Sequence, residues 1–176
     1  IVMPRITPDI KVQAVRARGA KVILKGDAFA AAAEHAQELI QEHGYTYIPP
    51  FDDIDVVAGQ GTIGVEILRQ HAGRLDAIFV PVGGGGLIAG VAAYVKYLRP
   101  DIKVIGVEAE DSACLKAALE AGERVVLDQV GVFAEGVAVA QIGEVPFSLI
   151  QGLIDEVITV NTDEMCAAVK DIFEDT

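Results

Sequence analysis

The sequence predicts an α/β fold with largely parallel sheets, and three observations point to it. Short, apolar, β-rich runs alternate with stretches of helical periodicity along the 176 residues. Such alternation needs crossover connections, which bring successive strands into parallel pairing. The apolar run 77–82 enters four consecutive glycines, Gly83, Gly84, Gly85 and Gly86, and a helical pattern starts at Leu87. One proline pair, Pro49-Pro50, interrupts the alternation. Neither a helix nor a central strand continues through it, so it divides the chain into a smaller α/β part, 1–50, and a larger one, 51–176.

The elements follow in order. Residues 1–3 read as an apolar strand end. Thr7, Pro8 and Asp9 open the first helix: Thr7 can cap, Pro8 suits the first helical position and Asp9 complements the dipole. Ile10, Ala14 and Ala17 give its spacing and Gly19 stops it. Residues 20–24 (AKVIL) are a strand. Asp27 caps a second helix with Phe29, Ala33, Ala36 and Ile40 at helical spacing, ended by Gly44. Residues 45–48 are a third strand. Beyond the prolines, Ala58, Gly59, Gln60, Gly61 and Thr62 read as a glycine-containing turn that opens a helix through Ile63, Ile67 and Leu68. Strand 77–82 and the glycines come next. The helix after them places Leu87, Val91, Tyr94 and Leu98 at core spacing and ends before Pro100. A strand at 103–107 finishes at Glu108, and a helix at 112–121 ends at Gly122. Pro146 starts a short helix, 156–160 is a strand, and Asn161 or Thr162 caps the last helix. The first residues read as the inside of a strand and the last as the middle of an amphipathic helix, so the sequence is expected to be an internal piece of a longer protein.

Composition narrows the function classes. Apolar residues make up 52% and there are 18 glycines, which suits an enzyme core of helices and sheets. Twenty-six acids against 14 bases give a net charge of −12. That argues against a nucleic-acid surface, which needs clustered Lys and Arg, and favours a soluble, cytoplasmic protein. The apolar runs are too short for a membrane span. Two cysteines, Cys114 and Cys166, form no disulfide framework and are expected as buried free thiols. His35, His43 and His71 are scattered without ligand spacing and are read as surface residues.

The glycine run carries the chemistry. Glycines let a backbone approach an anion closely, and the unpaired N–H groups of a helix start attract it. Three readings stay open on the residues alone. Gly84-x-Gly86-x-x-Ala89, with Glu108 ending the next strand about 20 residues on, fits a relaxed dinucleotide fingerprint. Four glycines also suit a single terminal phosphate, as on pyridoxal phosphate. The third reading is a tight turn without a ligand. A nucleotide P-loop is excluded, because no Gly-Lys-Ser/Thr follows.

Several stretches together resemble the fold-type II pyridoxal phosphate enzymes, and within them the threonine/serine dehydratase group. They are Ile1-Val2-Met3-Pro4 with Thr7-Pro8, Lys11 and Gly19-Ala20, Ala58-Gly59-Gln60-Gly61-Thr62, Val80-Pro81-Val82-Gly83-Gly84-Gly85-Gly86-Leu87, Gly106-Val107-Glu108 and Ala134-Glu135-Gly136-Val137-Ala138-Val139. The resemblance spans essentially the whole chain, and the last stretch is most similar to the biosynthetic threonine dehydratase branch. It implies two open, largely parallel twisted sheets with flanking helices, present here incompletely. Gly83, Gly84, Gly85, Gly86 and Leu87 would wrap the cofactor phosphate, and Glu135, Gly136 and Val137 would lie against the pyridine ring. The implied reaction takes threonine to 2-oxobutanoate and ammonia, in isoleucine biosynthesis. Serine dehydratase or racemase is the alternative within the group.

The resemblance also marks what the chain lacks. No segment matches the one that supplies the cofactor-binding lysine. Lys11, Lys21, Lys25, Lys96, Lys103, Lys116 and Lys170 read as solvated charges. No catalytic residue is therefore expected in these 176 residues, and the piece alone is expected to be inactive. Racemase relatives hold a divalent ion with an acid at the end of the strand after the glycines, a place that Glu108 fits, and another acid six residues on, where this chain has Cys114. A thiol suits Mg²⁺ or Ca²⁺ poorly, Asp111 is displaced, and no metal is expected. The expected partners are a small amino acid, threonine or serine, the remainder of the protein's own chain and further copies of it in a dimer or tetramer. Nucleic acid and membrane are not expected.

Overall fold

The computed structural model describes every residue except Ala28, Val132 and Thr176. The chain divides into two compact units, Ile1–Ile48 and Pro49–Thr176.

In the first unit, β1 (Val2–Met3) pairs in parallel with β2 (Ile23–Leu24), Val2 opposite Ile23 and Met3 opposite Leu24. Between them runs α1 (Asp9–Ala17) and after them α2 (Phe29–His43). Gly19 and Gly44 follow the two helices at φ +81° and +68°, the left-handed geometry that ends a helix. Four expectations change here. Pro8, not Thr7, occupies the N-cap of α1, with extended ψ of 136° and no side-chain cap. The buried side chain of α1 is Val12, whereas Ile10 is 79% exposed. The strand expected at 20–24 contracts to Ile23–Leu24. Residues 45–48 form no strand: they find no ladder partner among the described residues, and the Tyr45 ring packs against His43 at 5.1 Å instead.

The second unit is built on a three-stranded parallel sheet in the order β3 (Ala77–Pro81), β4 (Lys103–Ala109), β5 (Glu156–Val160). Around it lie α3 (Ile54–Gln70), α4 (Gly86–Leu98), α5 (Cys114–Ala121), α6 (Glu144–Ile150) and α7 (Thr162–Asp175). Its core joins Ile78, Val80 and Val82 with Ile88, Val91 and Val95 of α4, Leu115 of α5 and Ile150 of α6. Full burial of each aliphatic side chain contributes about 1.5–3 kcal/mol. The core face of α4 is Ile88, Ala89, Val91, Ala92 and Val95, so the expected stripe through Tyr94 and Leu98 is displaced. Leu98 is 49% exposed.

The Ala58–Thr62 segment is a second correction. It lies inside α3 rather than in a turn. The helix starts at Asp53, whose carboxylate accepts from the N–H groups of Asp55 at 2.8 Å and Val56 at 3.1 Å. Val57, Gly61 and Gly64 form the buried face of α3. A Cβ on Gly90 of α4 would meet the backbone of Val57 and Gly61, so the two helices touch backbone to backbone. Gly61 of this motif, with Gly90 opposite it, thus sets how closely α3 approaches α4.

Asp155 ties the start of the sheet together. It accepts from Val104 N–H at 2.7 Å and from Lys96 Nζ at 2.7 Å. The last helix has the expected cap in full reciprocal form: Glu164 N–H donates to Asn161, and Asn161 N–H donates to Glu164. Of the two thiols Cys114 is buried, but Cys166 on α7 is exposed, contrary to expectation.

Candidate functional site

The site is the junction between β3 and α4. The ladder ends as Val82 N–H donates to Val107 O at 2.9 Å. The chain then passes through the glycines and enters α4, with Gly85 at the N-cap in the left-handed region (φ +88°, ψ −6°). An L side chain is strained there.

Three consecutive peptides of this loop have their carbonyls held by the fold. Gly83 O accepts from Cys114 Sγ–H at 3.4 Å, Gly84 O from Gly143 N–H at 3.1 Å, and Gly85 O from Ala89 N–H at 3.0 Å. In a trans peptide the C=O and the following N–H point in opposite directions. Pinning those oxygens therefore fixes the directions of the Gly84, Gly85 and Gly86 N–H groups, each pointing away from the partner of its own carbonyl. Among the described residues, the N–H groups of Gly83, Gly84, Gly85, Gly86 and Leu87 donate to no protein acceptor. Gly84, Gly85 and Gly86 are buried, and Gly83 and Leu87 are half-buried. A cluster of buried, unpaired donors at a helix N-terminus is what a phosphate monoester requires, and buried N–H groups rarely stay unpaired otherwise.

The packing behind the loop explains why side chains are absent. A Cβ on Gly84 would strike the Phe51 ring, and one on Gly85 would strike Ile142. The segment bearing Ile142 and Gly143 is itself fixed. Arg124 donates to Ile142 O at 2.9 Å and to Gln141 at 3.2 Å, and the Asp52 carboxylate accepts from Val145 N–H at 2.8 Å. These supporting residues were not singled out in the sequence. Their partners lie 17 to 93 positions away, so no local pattern announces them. The Asp52-Asp53 pair ahead of a helix was the one visible hint.

Of the predicted ring-wall residues, Val137 comes up to the loop: a Cβ on Gly83 would lie 3.1 Å from Val137 Cα. Glu135 and Gly136 are exposed on the same turn, and a Cβ on Gly136 would meet open space. Leu87 is the second residue of α4.

Glu108 corrects the dinucleotide reading. It is fully buried, and its two carboxylate oxygens accept from Leu115 N–H at 2.8 Å and Lys116 N–H at 2.9 Å. It caps α5 from within and offers no free oxygen to a ribose or a cation. Burial pushes its carboxyl above the usual carboxylate range, and the two N–H groups pull the other way. Beside it the Cys114 thiol is pushed up to about 12 by burial and by the Glu108 charge, so it stays a neutral donor. Among the described residues no three His, Cys, Asp or Glu side chains are grouped to hold a metal. The histidines stand apart: His35 meets Glu38 at 2.6 Å and His71 meets Arg74 O at 3.1 Å. A separate cavity of about 350 Å³ lies past the ends of β4 and β5 and contains none of the predicted site residues. No helix of the described residues is long and apolar enough to cross a membrane.

Comparison with known proteins gives the family. A family described as pyridoxal-phosphate dependent enzyme matches residues 1–176. The biosynthetic L-threonine dehydratase of Salmonella typhimurium is 59% identical over 175 residues, covering 99% of this chain and 34% of that protein. The structure of the processed form of threonine deaminase isoform 2 from Solanum lycopersicum superimposes with a TM-score of 0.93 at 51% identity, over 99% of this chain and 50% of that one. Serine racemase from Dictyostelium discoideum does so at 0.85 and 34% identity, over 99% of this chain and 55% of that one. The chain thus spans about a third of the length of the curated relatives it matches. With its loop, its parallel sheets and a match along its whole length, the chain belongs to the pyridoxal-phosphate dependent enzyme family.

Proposed function

We propose that the protein carrying this chain is a pyridoxal phosphate-dependent threonine dehydratase that converts L-threonine to 2-oxobutanoate and ammonia, a step of isoleucine biosynthesis. One observation carries the reading: the N–H groups of Gly84, Gly85 and Gly86 are unpaired and buried at the start of α4, while the carbonyls ahead of them are held by the fold. The identity to threonine dehydratases supports the choice of substrate. When bound, the cofactor supplies an electron sink for the charge left as the α-proton departs. This chain's own residues bind and orient. Gly83, Gly84, Gly85, Gly86 and Leu87 hold the phosphate by backbone N–H groups and the dipole of α4. Glu135, Gly136 and Val137 line the ring, where the missing side chain of Gly136 leaves room for close approach. No residue of these 176 is assigned a catalytic role; the lysine that would hold the cofactor covalently is placed elsewhere in the protein. The protein is read as soluble and cytoplasmic from its net charge of −12, and as a homo-oligomer.

The likeness to serine racemase favours a second reading, action on serine. The full-length protein tests both. Mixed with pyridoxal phosphate it should turn yellow, borohydride should fix the colour covalently, and kcat/KM should favour threonine over serine. A protein that stays colourless refutes both readings, and a preference for serine over threonine refutes the first and supports the second.

A further inference from the structure

We propose that Cys114 is a positioning residue for the phosphate loop: its thiol holds the Gly83–Gly84 peptide so that the Gly84 N–H faces the anion. The proposal deepens the reading above and rests on it. Its basis is the geometry of one peptide. Cys114 Sγ lies 3.4 Å from Gly83 O, across 31 residues of sequence. That oxygen belongs to the same planar unit as the Gly84 N–H, so a donor on the oxygen fixes the direction of the N–H. The two neighbouring peptides are held by backbone groups, Gly143 N–H and Ala89 N–H. The first peptide of the set is the one held by a side chain, and so the one a substitution can release.

The thiol is itself held in place. It is the first residue of α5 and is fully buried. The next two N–H groups of that helix are bonded to Glu108, whose carboxylate is also fully buried and stands at the end of β4. A buried carboxylate thus anchors the start of α5 to the sheet, and the anchored helix presents its first side chain to the loop. Burial, and then the negative charge of Glu108 beside it, keep the thiol protonated through the neutral range; the proton is within reach of Gly83 O at 3.4 Å. The arrangement also places an oxidisable sulfur out of contact with solvent.

The test compares wild type, C114A and C114S in the full-length protein. Dissociation constants are measured for pyridoxal phosphate and for phosphate-free pyridoxal, with the ³¹P resonance of the bound cofactor. Losing one neutral hydrogen bond to a correctly aimed peptide should weaken pyridoxal phosphate about two- to tenfold. Pyridoxal binding should be unchanged, and the ³¹P resonance should shift. C114S keeps a donor at that place and should lie nearer to wild type than to C114A in both readouts. Equal weakening for pyridoxal phosphate and pyridoxal would reduce Cys114 to a packing residue and overturn the proposal. So would an unchanged ratio in C114A, or C114S no better than C114A. Wild type that binds no pyridoxal phosphate at all overturns the functional reading and this proposal together. Wild type that binds, with C114A indistinguishable from it, overturns this proposal alone.

Discussion

Gly90→Ala places two known effects against each other at the helix contact that supports the loop. Inside α4, replacing glycine by alanine should gain about 1 kcal/mol from helix propensity. The new Cβ, however, would lie 2.5 Å from Gly61 N and 3.0 Å from Gln60 C, with Val57 O in the way as well. Ordinary contact begins near 3.4 Å, so the helices must separate by about 1 Å. The obstacles are backbone atoms of α3, which cannot swing aside as a side-chain tip would. Overpacking of one methyl costs about 1–3 kcal/mol when side chains can adjust, and this contact sits at the upper end. The net expectation is destabilisation by about 2 kcal/mol. Gly59→Ala, on the same helix α3 but with nothing within 4 Å of its Cβ, is the control. It should stabilise by up to about 1 kcal/mol. The assay is denaturant unfolding of the full-length protein, read on the transition that reports this unit. Gly90→Ala as stable as wild type, or stabilised like Gly59→Ala, would refute the backbone-to-backbone packing of α3 on α4.

Three further outcomes follow from the same geometry. Gly85→Ala forces an alanine to φ +88° and drives its Cβ into Ile142. It should cost about 1–2 kcal/mol from the left-handed backbone alone and abolish tight phosphate binding, measured by calorimetric titration with pyridoxal phosphate. Glu108→Ala leaves Leu115 N–H and Lys116 N–H without their charged acceptor and should lower stability by about 3–5 kcal/mol, with Glu108→Gln intermediate, measured by chemical denaturation. Asp155 is held below its usual carboxylate range first by Lys96 and then by the Val104 N–H. A depressed folded value means that its stabilisation is present above the unfolded value of 3.8 and fades as pH falls through the folded one. Asp155→Asn should therefore lose stability at neutral pH and show a shallower further loss below pH 3.8 than wild type does, measured by unfolding at several pH values.

The parts legible in the sequence are those set by short-range patterns. Residues 77–98 announce strand, glycines and helix because each signal lies within a few positions of the next. Gly122 past α5 and the Asn161–Glu164 cap are readable for the same reason. The misreadings share a different cause. Ala58–Thr62 looked like a turn because glycines usually break helices, yet Gly61 and Gly64 sit mid-helix where another helix comes too close for side chains. The stripe on α4 was misplaced because that helix is apolar on almost every side, and periodicity cannot choose a face. Residues 45–48 have the composition of a strand, but a ladder also needs a partner, which composition does not show. Glu108 has the spacing of a ribose acid, and only the fold reveals that α5 turns its N–H groups onto that carboxylate. Cys114 reads in the sequence only as a buried free thiol, since its acceptor Gly83 O is 31 residues away.

The loop's assignment as a phosphate clamp is tested most directly by the ³¹P resonance of pyridoxal phosphate bound to the full-length protein, followed from about pH 5 to 8. A free phosphate monoester takes up its second proton near pH 6. A phosphate that accepts from the N–H groups of Gly84, Gly85 and Gly86 at the positive end of α4 is held as the dianion. Its resonance should stay at the dianion position across that range. A resonance that moves with pH as the free ester does would place the phosphate in solvent and contradict the assignment.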